Sequence, residues 1–364
     1  MDGASKMPFP LRPDMSLTPF ARFLAAARHR PVDQIPVVGS ISDFYLAPLL
    51  GIKDPDDPEA KVEMLVRGAE LFPDLPLLFV ITPCAALHLN MLRQVDNQDA
   101  FYEYPEDWLR VGRLYSAREL AQIRIPDPAN CPEHLVTLQI IQFYHENVPA
   151  ELMERYGYVK GLIRFENPFD RLALNLGAEW FGRMYTDPSF VRAAMELFTE
   201  ASLVGAQSLA REFGPPTWVM LAEDMPSMLS PRHYLEFVAP YHHRLFKAFP
   251  GALHFMHNDG DAAHLIDVLP ACGMDIWHLG PRVPIEQAKA RIGDKVALMG
   301  NLDPVRVMLY GSDEEFEAEC RRILHAAAPG GGFVFSTGGE LSPGTDPARV
   351  RVMSRFALEY GAAA

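Results

Sequence analysis

Five apolar runs in the second half of the chain each stop at small or polar residues. Thr217–Leu221 runs into Ala222-Glu223-Asp224, and Ala252–Met256 into His257-Asn258-Asp259-Gly260. Ile276–Leu279 stops at Gly280, Val296–Met299 at Gly300-Asn301, and Phe333–Phe335 at Ser336-Thr337-Gly338. A short buried strand that ends in polar residues and turns into a helix is the repeating unit of a β/α barrel, whose chemistry gathers at the carboxyl ends of the strands. Three earlier runs, Ile35–Gly39, Leu77–Ile81 and Gly161–Phe165, bring the count to the eight that a closed barrel needs. The pattern predicts an α/β fold, a single eight-stranded barrel of the TIM type with helical additions at its N-terminal side.

The intervening segments carry helix signals. Ser16 or Thr18 caps a first helix with Pro19 in its opening turn, and Asp54–Asp57 leads into Glu59–Leu71. A helical period spans His134 to Tyr156, and others cover Phe169–Leu176, Pro188–Phe213 and Asp261–Leu269. Ser312 and Glu315 have the spacing of a capping box, and Asp346-Pro347 is a cap followed by proline. Asn90 to Pro132 has a weak pattern and reads as irregular connection. With no repeat or linker, residues 17–364 read as one barrel domain and 1–16 as a loose arm.

Composition narrows the function. A chain of 364 residues with 49% hydrophobic content buries a large core. A net charge of −14 argues against nucleic acid and against anionic membranes, and no apolar run approaches a membrane span. The first fifteen residues lack the apolar core of a secretory signal. Cys84, Cys131, Cys272 and Cys320 lie far apart and read as reduced, mostly buried thiols, so a cytoplasmic setting is expected. The partner expected is a small molecule; the oligomeric state is open, a homodimer included.

The strand ends supply the candidate chemistry. His257 and Asp259 would project into the barrel mouth, against a plainer reading in which His257 is packed and Asp259 caps the next helix. Glu223 and Asp224 end the preceding run, and adjacent acids resist burial unless paired or bound to a cation. Gly338-Gly339-Glu340 closes the last strand, where Glu340 is either a site acid or a solvated one. Asn301 and Asp303 lie on another strand-to-helix turn whose plainest role is structural, with Asp303 capping a helix that starts at Pro304 and Asn301 bonding to backbone. Arg164 and Arg282, the cations nearest strand ends, could hold a substrate carboxylate through paired hydrogen bonds. Gly330-Gly331-Gly332 precedes a strand, so it is neither a phosphate loop nor a dinucleotide fingerprint. Nucleophile-elbow and zinc-protease motifs are absent, and the tandem His242-His243 reads as structural.

Taken in order, these residues resemble the uroporphyrinogen decarboxylase superfamily. Thr18 through Leu24 and Arg30 through Val37 are similar to its N-terminal signature, and Asp224 through Tyr241 to its central segment. His257-Asn258-Asp259-Gly260, Cys272 through Asp275, Gly300-Asn301-Leu302-Asp303-Pro304 and Thr345 through Val350 follow in the family's order. The resemblance implies a β/α barrel.

It also divides the chemistry. True uroporphyrinogen decarboxylases carry Met-Arg-Gln-Ala-Gly-Arg after the N-terminal Pro-Val, and its arginines grip substrate carboxylates; this chain has Val38-Gly39-Ser40-Ile41-Ser42-Asp43. The other large branch moves methyl groups between corrinoid proteins and thiols at a zinc site built from His-x-Cys and a later Cys. By position the histidine is His257, the first cysteine is replaced by Asp259, and the second by Gly339 beside Glu340.

The resemblance therefore implies an oxygen-rich site of His257, Glu223, Asp259 and Glu340 for zinc or another divalent metal. The catalytic residues expected are His257, Asp259 and Asp224, with Arg164, Arg282 and Asn301 orienting substrate. The implied reaction moves a methyl group from a small methylated donor, such as a methoxy-aromatic, to a corrinoid on a partner protein. The alternatives are metal-free decarboxylation of a small acid, with Asp224 or Asp259 handling the proton, and a ligand-binding barrel without chemistry.

Overall fold

The computed structural model of the chain describes residues 17–77, 79–80, 116–121, 123–159, 161–165 and 167–363. The N-terminal arm, Cys84, Glu166 and most of the irregular segment between Asn90 and Pro132 lie outside the described residues.

Six parallel strands follow one another in chain order, each bonded to the next. They are β1 (Leu162–Arg164), β2 (Trp218–Ala222), β3 (Leu253–Asn258), β4 (Ile276–Leu279), β5 (Ala297–Leu302) and β6 (Phe333–Thr337). Helices or short helical turns connect them, such as Pro188–Phe213 ahead of β2 and Asp313–Ala327 ahead of β6. The architecture is an α/β barrel of the TIM type. The expected strand Ile35–Gly39 contributes isolated bridges, Val37 to Phe335 and Gly39 to Leu77, both parallel. Leu77, the start of another expected strand, donates its N–H to the Tyr158 hydroxyl just ahead of β1, at 3.3 Å. Pro36 has no N–H to give a ladder, which accounts for the brevity of the first segment.

Two apolar layers enclose the strands. One fills the barrel and comprises Val38, Leu162, Trp218, Met220, Leu253, Phe255, Ile276, Ala297, Met299 and Val334. Residues between them, such as Val219, Leu221, Met256, Trp277 and Leu298, face the surrounding helices. The helix Pro19–Ala27, capped by Thr18, closes the N-terminal end: Phe23 meets Trp218 edge-on at 6.1 Å between ring centroids and lies 6.4 Å from Phe255. Arg22, only 2% exposed, pins the following loop through a paired contact with Asp33 at 2.6 and 2.8 Å. The opposite end of the barrel, where the strands finish, is the mouth.

Several connections differ from expectation. The helix expected over His134–Tyr156 is two, Pro132–Asn147 and Ala150–Tyr156, because Pro149 interrupts the bonding. Helices Asp43–Leu50 and Ala178–Thr186 add to those expected. Asp261–Leu269 is not an α-helix. It holds the short turn Ala263–Leu265, followed by Leu269–Cys272, which contains Pro270 and ends at Gly273. Asp303 caps a turn through the Val305 and Arg306 amides, and no helix starts at Pro304. The Ser312–Glu315 capping box forms in full.

Candidate active site

Side chains alternate along a strand, so the inward positions of β2 and β3 fix what reaches the mouth. Trp218 and Met220 point inward, which carries Ala222 and then Asp224 to the interior rim. On β3 the inward series is Leu253, Phe255, His257, then Asp259 beyond the strand end. Asp224, His257 and Asp259 accordingly converge, each offering a ligand atom, with all such atoms within 4.8 Å of one another. His257 Nε2 lies 3.9 Å from Asp259 Oδ2, and the Asp259 amide donates to Asp224 Oδ1 at 2.9 Å. Glycines permit this approach: a side chain at Gly280 would collide with the Asp259 carbonyl, and a Cβ at Gly339 would sit 3.0 Å from Asp259 Oδ2.

Glu223 is out of phase and faces the helices. Its carboxylate accepts the Phe169 amide at 2.7 Å and meets His242 Nε2 at 2.6 Å; both side chains are fully buried. The structure does not bring Glu223 to the cluster at the mouth. His242, on the helix Ala239–Lys247, instead has the structural place expected of it. Beside this pair Asp170 accepts the Asp224 and Met225 amides, each at 3.0 Å, and so holds the loop that carries Asp224. Burial, with Glu223 close by, pushes the Asp170 carboxyl up to about 8.

The mouth is electrostatically crowded. Burial raises the Asp224 carboxyl above its ordinary range, with the charge of Glu223 adding to the effect. Burial and then the neighbouring Asp224 push Asp259 up to about 6. Burial, and next the charge of Arg164, bring His257 down to about 4, so its ring is neutral near neutral pH. Arg164, at the end of β1, acts on His257, Asp224 and Glu340, and its Nε is buried without a hydrogen-bond partner. Glu340, raised chiefly by burial, accepts from the Ser42 hydroxyl at 2.9 Å. Arg282 is exposed at the rim. Asn301 is buried, with Nδ2 donating to the carbonyls of Gly280 and Val283 at 3.0 and 2.8 Å; it braces the loop on which Arg282 stands. The segment that replaces the arginine-bearing stretch, Val38 to Asp43, supplies no cation, and Asp43 pairs with Lys61.

His278 was not among the expected residues. It pairs directly with His257 in the β3–β4 register and is fully buried. The two Nδ1 atoms are 2.8 Å apart, and His278 Nε2 lies 2.8 Å from the Thr337 carbonyl oxygen. Burial, and then the neighbouring His257, bring its ring down to about 3. No signal in the sequence set it apart, because this run is apolar on both faces and only the packed barrel shows that His278 shares the inward phase of Ile276.

One imidazole and two carboxylates at this spacing fit a divalent cation. Zinc bonds nitrogen and oxygen at about 2.0–2.2 Å, so two ligand atoms on one ion lie no more than about 4.4 Å apart, and His257 Nε2 and Asp259 Oδ2, 3.9 Å apart, meet that condition. Carboxyls raised chiefly by burial, with neighbouring acids adding to it, are also what a bound positive charge would relieve. The donors are harder than thiolates, which widens the choice of ion beyond zinc.

The family model described as uroporphyrinogen decarboxylase (URO-D) matches residues 175–360, about half of the chain. The uroporphyrinogen decarboxylase of Thioalkalivibrio sulfidiphilus is 33% identical over 183 residues, covering 47% of this chain and 49% of that protein. That alignment spans about half the relative's length. The corresponding protein of Anaeromyxobacter dehalogenans is 25% identical over 361 residues, 93% of this chain and 99% of its own. Among solved structures, a methyltransferase from Methanosarcina mazei superposes with a TM-score of 0.72 at 19% identity, over 94% of this chain and 99% of that one. That likeness is one of fold.

Proposed function

Because the chain belongs to the uroporphyrinogen decarboxylase family, we propose that it is an enzyme of the methyl-transferring kind. It takes a methyl group from a small methylated donor, a methoxy-aromatic being the type, and passes it to a corrinoid carried by a partner protein. The observation that carries this reading is the convergence of Asp224, His257 and Asp259 within 4.8 Å. Two of the three stand where the resemblance implies metal ligands.

Asp224, His257 Nε2 and Asp259 would hold zinc or another divalent ion, which when bound supplies Lewis acidity at the donor heteroatom and makes it a better leaving group. The methyl group departs without the bonding electron pair, which stays on that heteroatom; the acceptor brings the pair for the new bond. Arg164 is placed to hold an anionic substituent of the donor, and Asn301 keeps the Gly280–Val283 loop in position. Asp170 keeps Asp224 at the rim by binding its amide. Without a cationic floor at Val38–Asp43, the mouth suits a small ligand and not a tetrapyrrole bearing eight carboxylates. The setting proposed for this reaction is the cytoplasm; among the described residues no helix is long and apolar enough to cross a membrane.

One observation favours a second reading, decarboxylation of a small acid. Asp259, at about 6, keeps a share of its proton near neutrality and could deliver it to the carbanion left by departing carbon dioxide.

The test is incubation of zinc-loaded protein with cob(I)alamin and a panel of methoxy-arenes, following the methylated corrinoid by absorbance. Turnover that falls at least about a hundredfold in Asp224→Asn is the result expected of a group acting on the reacting centre. Carbon dioxide release from small acids or from uroporphyrinogen, with no methyl transfer and no bound metal, would replace the first reading by the second.

A further inference from the structure

We infer that His278 is a positioning residue: it holds His257 in the tautomer protonated on Nδ1, leaving the Nε2 lone pair facing the barrel mouth beside Asp224 and Asp259. The tautomer follows from the hydrogen-bond geometry of two neutral rings; its use, to present a nitrogen ligand, rests on the functional reading above.

The chain of reasoning starts at Thr337. Its carbonyl oxygen can only accept, so His278 Nε2, 2.8 Å away, must carry a hydrogen. A neutral imidazole has one such hydrogen, so His278 Nδ1 is bare. The atom facing it at 2.8 Å is His257 Nδ1, which must therefore donate. His257 has then spent its single N–H on His278, and its Nε2 is a lone pair pointing at Asp259 Oδ2, 3.9 Å distant. The reverse arrangement would set a bare nitrogen against the lone pairs of a carbonyl in a dry interior and leave that carbonyl without its donor.

Among the described residues, these are the hydrogen bonds the two rings make. His278 is fully buried, with Phe79 stacked on one face at 5.8 Å and 17° and Phe255 tilted at 6.1 Å. With aromatic rings against it, His278 has its polar contacts among the described residues at its two nitrogens, toward Thr337 and toward His257 at the mouth. Histidines that bind metals commonly donate their second nitrogen to a fixed acceptor, which orients the ring and raises its basicity. Here the acceptor is a second histidine, itself fixed by a main-chain carbonyl.

Long-range proton–nitrogen correlation spectra of metal-free, 15N-histidine-labelled protein at neutral pH read both tautomers, with His257→Asn and His278→Asn supplying the assignments. The wild-type protein should show His257 protonated on Nδ1 and His278 on Nε2. Asparagine at 278 keeps an acceptor oxygen near the position of Nδ1, so His257 in His278→Asn should retain its tautomer and zinc affinity should stay within a few-fold. His278→Leu removes the acceptor; His257 should move to the Nε2-protonated form, and zinc affinity should fall about tenfold to a hundredfold. Wild-type His257 protonated on Nε2 overturns the inference whether or not the leucine variant folds, as does a folded His278→Leu with an unchanged His257. If the wild-type tautomers are as stated but zinc is not bound, the relay stands and the metal reading fails. If zinc binds and the tautomers are reversed, the metal reading stands and the relay fails.

Discussion

Glu223→Ala should damage the fold while leaving the mouth intact. In the native chain the carboxylate is fully buried, accepts the Phe169 amide at 2.7 Å and meets His242 at 2.6 Å. Alanine strands an amide and an imidazole in a dry interior, and breaking such a buried pair costs about 3–5 kcal/mol. For a chain of this size that is a fall of about 1 M in the urea midpoint. Glutamine keeps an acceptor for the Phe169 amide, so Glu223→Gln should lose roughly 1–3 kcal/mol. His242→Ala should lose a comparable amount to Glu223→Ala, and the double variant much less than the sum, because one interaction is being removed twice. Zinc affinity measured by calorimetry on folded Glu223→Gln should stay within a few-fold of wild type. If that variant is as stable as wild type yet binds no zinc, the assignment of Glu223 to the back of the barrel is wrong, and the four-ligand set implied by the family comparison is right.

Two further outcomes follow from the mouth itself. Zinc must displace the proton of Asp259, held up at about 6, whereas His257 is neutral down to about 4. Affinity should therefore be full above pH 6 and fall as pH drops through it, by about tenfold at pH 5 on titrating protein with zinc at fixed ionic strength. A midpoint near 4 would assign the control to His257. Gly339→Ala places a methyl group 3.0 Å from Asp259 Oδ2 and a side chain at φ +148°, at a backbone cost of about 1–3 kcal/mol. Zinc calorimetry should show affinity reduced by about an order of magnitude, the size of effect seen when a ligand's support is disturbed. Unchanged affinity would place Asp259 outside the ligand set.

The strand ends were legible in the sequence because buried apolar runs stop abruptly at polar residues. Both faces of a parallel barrel strand are covered, however, so Trp218-Val219-Met220-Leu221 shows no alternation from which to read phase. Glu223 and Asp224 were thus indistinguishable as a pair, and only the packed barrel shows that one faces the helices and the other the mouth. The same loss of phase hid His278, which reads as one more residue of an apolar run. The first strand shrank to bridges where Pro36 withholds a donor. The run after Asp261 has a helical spacing of Ala262, Leu265, Ile266 and Leu269, yet it folds as the short turn Ala263–Leu265 followed by Leu269–Cys272. The cap signals at Thr18 and Ser312 were realised because each satisfies exposed amides by local bonds that need no tertiary context.

The most direct test of the account is bound metal, turnover and melting temperature measured on one sample of His257→Ala. His257 is a wall residue of the mouth with its side chain 16% exposed. The account predicts a folded protein, with zinc lost and methyl transfer reduced by orders of magnitude. A folded His257→Ala that keeps stoichiometric zinc, or turns over at a near-normal rate, would contradict it.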